Sequence, residues 1–254
     1  MPFLLKMIMD QKRFDKLFNA FILIGMTVCV ILSCIFKMQE EGARTALLLI
    51  SAFGALMGVV SVVLSANGSI WTFVFGLVDV LIYSYILYDS RMPSQLLLYV
   101  GYFIPMEFIG FWQWRRRGAG VKEKVRARRM DAGKWLMFAG IFAAVFAAAL
   151  GISWFASTKM GEDILWRKTI LDALITTANI TALIMMAMAY TEQWYIWTLV
   201  NFTAIIQWAV TLATVPDAGY AIVPLVKYSF YLLNGLNAIR IWMRLSAPAP
   251  DLEK

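Results

Sequence analysis

Eight apolar runs, each close to twenty residues long, divide this chain. They fall at roughly 17–36, 46–64, 71–88, 95–114, 135–155, 169–190, 194–214 and 219–243. A helix rises 1.5 Å per residue, so each run is long enough to cross a hydrocarbon core of about 30 Å. Inside such a core every backbone N–H and C=O needs a partner within its own segment, which leaves helices for runs of this length. The fold class read from the sequence is all-α, a polytopic transmembrane helical bundle of eight helices. Hydrophobic residues make up 61% of the 254 and charged residues 15%. A soluble domain with that balance would expose large apolar patches. The first sixteen residues mix charges and the first run is a full span, so a cleavable signal peptide is not expected.

Histidine is absent, which removes most zinc sites, histidine-assisted nucleophiles and histidine proton relays. Cys29 and Cys34 stand five apart on one predicted helix. At 100° per residue they point about 140° apart, so they read as small hydrophobes and not as a disulfide. No nucleophile–base pair and no cluster of metal ligands stands out, so no enzyme activity, cofactor or metal is expected. The formal charge of +7 raises the question of nucleic acid, and its placement answers it. With the N-terminus inside, four Lys/Arg lie in the N-terminal arm, nine in 115–134 and three from Arg240 onward. Six lie outside, at Lys37, Arg44, Arg91, Lys159, Arg167 and Lys168. That excess puts both termini in the cytoplasm. It makes the 115–134 loop a topology signal and a contact for anionic lipid, with no nucleic-acid partner.

A weak internal repeat follows. "IWTFVFGLVDVLIY" (70–83) aligns with "IWTLVNFTAIIQWA" (196–209) at an offset of 126, and "FWQWRR" (111–116) falls near "IRIWMR" (239–244) at 128. One helix, 135–155, lies between the two triplets and returns the chain to the side from which the first triplet began. The expected layout is one extra N-terminal helix plus a 3+1+3 parallel repeat. Its parts are 1–45 for the arm and extra helix, 46–114 for the first repeat and 115–134 for the basic loop. The linker helix 135–155, the second repeat 169–243 and the tail 244–254 complete it. Repeats of this kind frame transport paths with the site near the bilayer midplane.

Polar residues gather at that depth. Helix 194–214 has its midpoint near Ala204, with Asn201 and Gln207 about 5 Å to either side and Trp208 about 6 Å away. Trp194 and Trp197 fall near the inner interface, where Trp is enriched. Asp79, Glu107, Asn179 and Tyr231 sit at comparable depth, with Lys227, Asn234 and Asn237 near Tyr231. Lys227, Tyr231 and Asn234 share one helical stripe; Trp197, Asn201 and Trp208 share another. Taken singly, each amide can be interhelical glue, and Lys227 can neutralise Asp79 or Glu107. Taken together they predict a central polar cavity, since such groups are costly in lipid without partners. Pro105 and Pro224 fit it as points where a broken helix lends carbonyls to a cavity. Amides read hydroxyl and carboxamide edges, aromatic faces hold a ring, and carboxylates favour a cation. A small aromatic or sugar-bearing solute, neutral or cationic, is the expected ligand.

Three stretches carry a family resemblance: "FIGFWQWRRR" (108–117), "WTLVNFTAIIQW" (197–208) and "YLLNGLNAIRIW" (231–242). On these the chain resembles the PnuC family of bacterial vitamin transporters over about 46–244. The SWEET sugar transporters share the helix count with different triplet wiring. The resemblance implies uptake of nicotinamide riboside by facilitated diffusion, trapping by cytoplasmic phosphorylation, an inner-membrane location and a homo-oligomer, a trimer. Thiamine or riboflavin, carried by family relatives, or a sugar is the alternative cargo, and proton coupling through Glu107 or Asp79 the alternative mechanism. A receptor or assembly subunit is the reading outside transport. The family motifs carry over to Trp112, Gln113, Asn201, Trp208 and Asn234. The helix at 17–36 lies outside the seven-helix core.

Overall fold

The computed structural model of the chain describes residues 2–40, 42, 44–89, 93–160, 166–214 and 221–247. Arg91, the side chains of Arg167 and Lys168, and the tail from 248 onward lie outside the described residues. Helix α1 runs Pro2–Met38 and absorbs the expected arm, because no Gly or Pro between Pro2 and Gly25 stops it. Helices α2 (Thr45–Ala66) and α3 (Thr72–Asp89) follow. The fourth span is composite: α4 (Pro93–Leu98), a π-helical turn at Tyr99–Phe103, then α5 (Ile104–Arg116). Pro105 is the cause. It has no N–H for the Gly101 carbonyl and its ring crowds that oxygen. The ladder widens just before it, and the Ile104 N–H reaches back five residues to the Tyr99 carbonyl. Then come α6 (Ala132–Met160), α7 (Trp166–Ala187), α8 (Gln193–Thr214) and α9 (Ile222–Leu245). Pro224 does not break a helix. It lies in the first turn of α9, where its missing N–H has no intrahelical role.

Among the described residues, α1, α2, α3, α4–α5, α6 and α8 each hold a stretch long and apolar enough to cross a membrane. Helix α9 has the length but carries Lys227, Arg240 and Arg244. The apolar stretch of α7 is Ala173–Ala187.

Helix α2 packs on α3 and α3 on α5; α7 packs on α8 and α8 on α9. The two triplets meet where α2 touches α9 and where α5 touches α7. Helix α6 leans on α7. Helix α1, which the sequence leaves without a role, covers the seam between α2 and α9. Ile22, Met26 and Val30 are buried against Val59 and Val63 there. Asn19 and Asn67 exchange amide bonds at 3.1 Å in both directions, and Asp15 pairs with Arg240.

The end of the bundle that holds the basic loop is tied together by bonds between the two triplets. Trp114 at the end of α5 donates its indole N–H to the Met186 carbonyl of α7 at 2.8 Å. Trp242 near the end of α9 donates to the Ser65 carbonyl of α2 at 3.0 Å. Each triplet thus caps the first helix of the other. The two rings meet edge-on at 5.3 Å, with Phe73 against Trp114 at 4.9 Å and Trp194 against Trp242 at 6.2 Å. Trp194, expected at the membrane interface, is only 4% exposed because it is built into this cluster.

The turns beside the two carbonyls are duplicates. Gly68 and Ser69 donate to Ser65 and Leu64, and Ala189 and Tyr190 donate to Met186 and Met185. Both turns use a left-handed residue, Gly68 at φ 68° and Ala189 at φ 58°. The true offset at this turn is therefore 121 residues, from Gly68 to Ala189, and the alignment at 126 is five residues out. The shared letters Ile-Trp-Thr mislead: at 70–72 they lead into α3, whereas at 196–198 they lie inside α8.

The 115–134 loop passes across this end as an extended strap. Four consecutive amides, Val125 to Arg128, donate in turn to the carbonyls of Gly68, Arg117, Leu245 and Ala189. Each belongs to a different helix end, and Val125 and Ala127 are buried while Arg126 is exposed. The basic side chains ride on a backbone that fastens both triplets.

Replacing either indole by a phenyl ring removes one crossed bond and some packing. Trp114→Phe and Trp242→Phe should each cost about 1–3 kcal/mol. That corresponds to a midpoint lower by roughly 2–4 °C per kcal/mol in detergent-solubilised thermal denaturation. Because the rings touch, the double variant should depart from the sum by about 0.5 kcal/mol or more.

Candidate functional site

Helix α8 presents one continuous stripe to the interior. Trp194, Trp197, Asn201, Ala204 and Trp208 recur at steps of three and four, with Gln207 beside them, and all line a central cavity of about 450 Å³. A volume of this size suits a small organic molecule. Its floor is the tryptophan cluster above the strap; Met186, Ser65 and Trp194 belong to both. The opposite walls come from Ser61 of α2, Thr72 of α3, Glu107 of α5, Asn179 of α7, and Tyr228 and Tyr231 of α9.

Each polar group on this wall has a structural reason for its position. Ser61 and Thr72 bond to each other's carbonyls at 2.8 and 3.0 Å, which holds α2 to the start of α3. Glu107 follows the π turn by one helical step and lies over Gly76, where a methyl group would sit 2.9 Å from both of its oxygens. The glycine makes room for the carboxylate between α3 and α5. Glu107 Oε2 and the Trp194 indole N–H are buried without a protein partner among the described residues. Asn179 lines the cavity and spends an N–H on the Ile175 carbonyl at 2.8 Å. No Lys or Arg lines this cavity among the described residues.

Of the residues singled out by sequence, Glu107, Asn179, Trp197, Asn201, Gln207, Trp208 and Tyr231 converge here. Asp79 and Lys227 line a second cavity, toward the end of the bundle away from the strap, which Tyr228 and Tyr231 also line. The remaining four line neither. Trp112 is 50% exposed and stacks under Arg116 at 3.4 Å. Gln113 follows it near the end of α5. Asn234 is fully buried and reaches the Val62 carbonyl of α2 at 3.4 Å. Asn237 accepts from Arg240 at 2.7 Å and borders a shallow groove beside α1. Asn234 thus bonds to a neighbouring helix and Asn237 within α9, which divides the expected Lys227–Tyr231–Asn234 stripe between the two cavities and a helix contact. Lys227 has no carboxylate within 4 Å among the described residues, so it does not neutralise Asp79 or Glu107 by a direct ion pair.

Sequence reasoning missed Ser61, Ser65, Thr72, Met186, Trp194 and Tyr228. Trp194 was legible, since it lies three residues before Trp197 on the same helical face. The serines and Thr72 carry no such signal, because small hydroxyl residues are common wherever membrane helices pack.

Comparison with known proteins follows the same lines. The model of a family described as nicotinamide mononucleotide transporter matches residues 48–244. The nicotinamide riboside transporter PnuC of Neisseria mucosa is 28% identical over 200 residues, covering 77% of this chain and 72% of that protein. The PnuC of Haemophilus influenzae is 26% identical over 198 residues, covering 77% and 80%. A solved structure, described as the vitamin B3 transporter PnuC, superposes with a TM-score of 0.64 over 90% of this chain and 91% of that one. At 24% identity it speaks for the fold.

The fit of Glu107 over Gly76 can be measured directly. Gly76→Ala should cost about 1–3 kcal/mol by overpacking. The same change should cost at least about 0.5 kcal/mol less in a Glu107→Ala background, a non-additivity read from thermal denaturation of the four proteins.

Proposed function

The chain belongs to the nicotinamide mononucleotide transporter family, whose model covers residues 48–244, and from that premise we propose that it carries nicotinamide riboside across a bacterial inner membrane. The observation that carries the choice of substrate is the charge of the central cavity. Its lining holds one carboxylate, Glu107, and no Lys or Arg among the described residues. The riboside is a cation with a pyridinium ring, a carboxamide and a ribose. A carboxylate and aromatic faces suit the ring, and Asn201, Gln207 and Asn179 suit the amide and hydroxyl groups. The mononucleotide adds a phosphate, which proteins hold with Arg, Lys or clustered backbone amides. This lining offers it a carboxylate instead.

In this reading the protein is a uniporter. The strap end faces the cytoplasm, in line with the excess of Lys and Arg there. Phosphorylation inside then gives a product that the Glu107 cavity repels, which keeps the flow inward. Thiamine and riboflavin are the alternative cargoes. A homotrimer, supported by the family resemblance, completes the proposal; light scattering in detergent measures its mass. A second reading, proton coupling, draws on the unpartnered oxygen of Glu107. Riboside uptake that ignores an imposed pH gradient excludes it.

Liposomes containing the purified protein should equilibrate nicotinamide riboside and admit the mononucleotide at least about tenfold more slowly, a difference of about 1.4 kcal/mol or more. Asn201→Ala and Trp208→Ala should each weaken riboside binding by about 1–3 kcal/mol in calorimetry. Equal rates for the two solutes overturn the substrate, and unchanged affinity in both variants overturns the site.

A further inference from the structure

The second cavity, about 480 Å³, reaches from the centre of the bundle toward the end away from the strap. Lys37 of α1, Asp79 and Tyr83 of α3, Tyr99 of the π turn and Lys227 of α9 line it. Tyr228 and Tyr231 line both cavities, so their rings form the wall between them. The rings stand 5.9 Å apart at 60° to each other. The Lys227 ammonium lies 5.1 Å from the centre of one ring and 5.9 Å from the other. These distances are within reach of a cation–π attraction, which strengthens when water is scarce. Asp79 lines the same cavity, its carboxylate lodged where α2 has Gly54 and Gly58. Lys227 therefore has two possible resting places in one cavity, the tyrosine rings it occupies and the carboxylate it does not.

We propose that Lys227 is a latch on the Tyr228–Tyr231 wall, released when the cationic ring of the incoming solute takes its place. The inference rests on the reading of the central cavity as a site for a cationic nucleoside. A pyridinium ring approaching through the second cavity competes for the same two faces and repels Lys227, whose ammonium passes to Asp79. One cation replaces another on the rings, so the exchange is close to balanced, and the charge pair with Asp79 favours it. An uncharged molecule of the same shape offers neither the competing charge nor the repulsion, and the wall stays latched. Selectivity for charge then arises at the wall as well as at Glu107. The arrangement also gives α1 a task, since this helix supplies one side of the cavity through which the solute arrives.

The decisive comparison uses the riboside and its uncharged 1,4-dihydropyridine form, each followed into liposomes with leakage into protein-free vesicles subtracted. Wild type should favour the cation by at least about tenfold. Lys227→Gln should admit the neutral form about tenfold faster while cation uptake stays within about threefold, and Lys227→Arg should behave as wild type. A lysine that merely repels cations predicts the reverse, a faster cation and an unchanged neutral form, and that result overturns the latch. Asp79→Asn should lower the maximal rate about tenfold with apparent affinity within about threefold, and Asp79→Glu should restore it. Should Lys227→Gln fail to assemble, this second series decides alone: an unchanged maximal rate in Asp79→Asn overturns the latch. Wild type that moves no riboside overturns the transport reading and the latch with it, whereas wild-type uptake with an unaltered neutral-to-cation ratio in Lys227→Gln overturns the latch only.

Discussion

The crossed tryptophan bonds hold the rest of the structure in place. A helix leaves its last carbonyls without an intrahelical partner, and at the strap end two of them, on Ser65 and Met186, accept an indole N–H from the opposite triplet as well as a turn amide. The rings of Trp114 and Trp242 meet between them, and Phe73 and Trp194 pack on the outside of each. The strap amides then tie down the neighbouring helix ends. With this end closed, the central cavity opens between α8 and the walls supplied by α2, α3, α5, α7 and α9.

Within that frame the two triplets divide the work unevenly. The second supplies the aromatic and amide surface, through the α8 stripe and the α9 tyrosines. The first supplies the carboxylate and the hydroxyl pair of Ser61 and Thr72. At the offset of 121, Asn201, Gln207 and Trp208 correspond to Val80, Ile86 and Leu87, all apolar. The matching position to Trp197 is Gly76, the residue that admits Glu107. Where one half carries a large ring, the other carries a gap that a carboxylate fills. The two halves of the bundle therefore line the cavity unequally.

Much of this was legible in the sequence, for physical reasons that also mark where legibility ended. Apolar length identified the eight helical runs, and among the described residues six of them hold a stretch long and apolar enough to cross a membrane. Asn201, Gln207 and Trp208 were legible because amides and an indole at mid-membrane depth need an explanation. The stripe pattern, however, says only which residues share a face. It does not say which face looks inward, and that depends on partners distant in the chain. Asn234 and Trp112 therefore went to a helix contact and an exposed surface. Trp194 was assigned to the interface from the average behaviour of Trp, and its place beside Trp242 depends on a residue 48 positions later. Aligning identical letters put the matching turn five residues out. The strap was not visible at all, since its bonds are made by backbone amides.

The reciprocal bond between Trp114 and Met186, and between Trp242 and Ser65, has the form of a twofold interface. Each half gives the same donor and receives it at the same carbonyl, as two copies of one subunit would. A shorter ancestral chain of three helices could form this contact with a second copy of itself, both copies inserted the same way. Fusion of two such genes would need one added crossing to keep that orientation, and α6, which packs on α7, has the place of that addition.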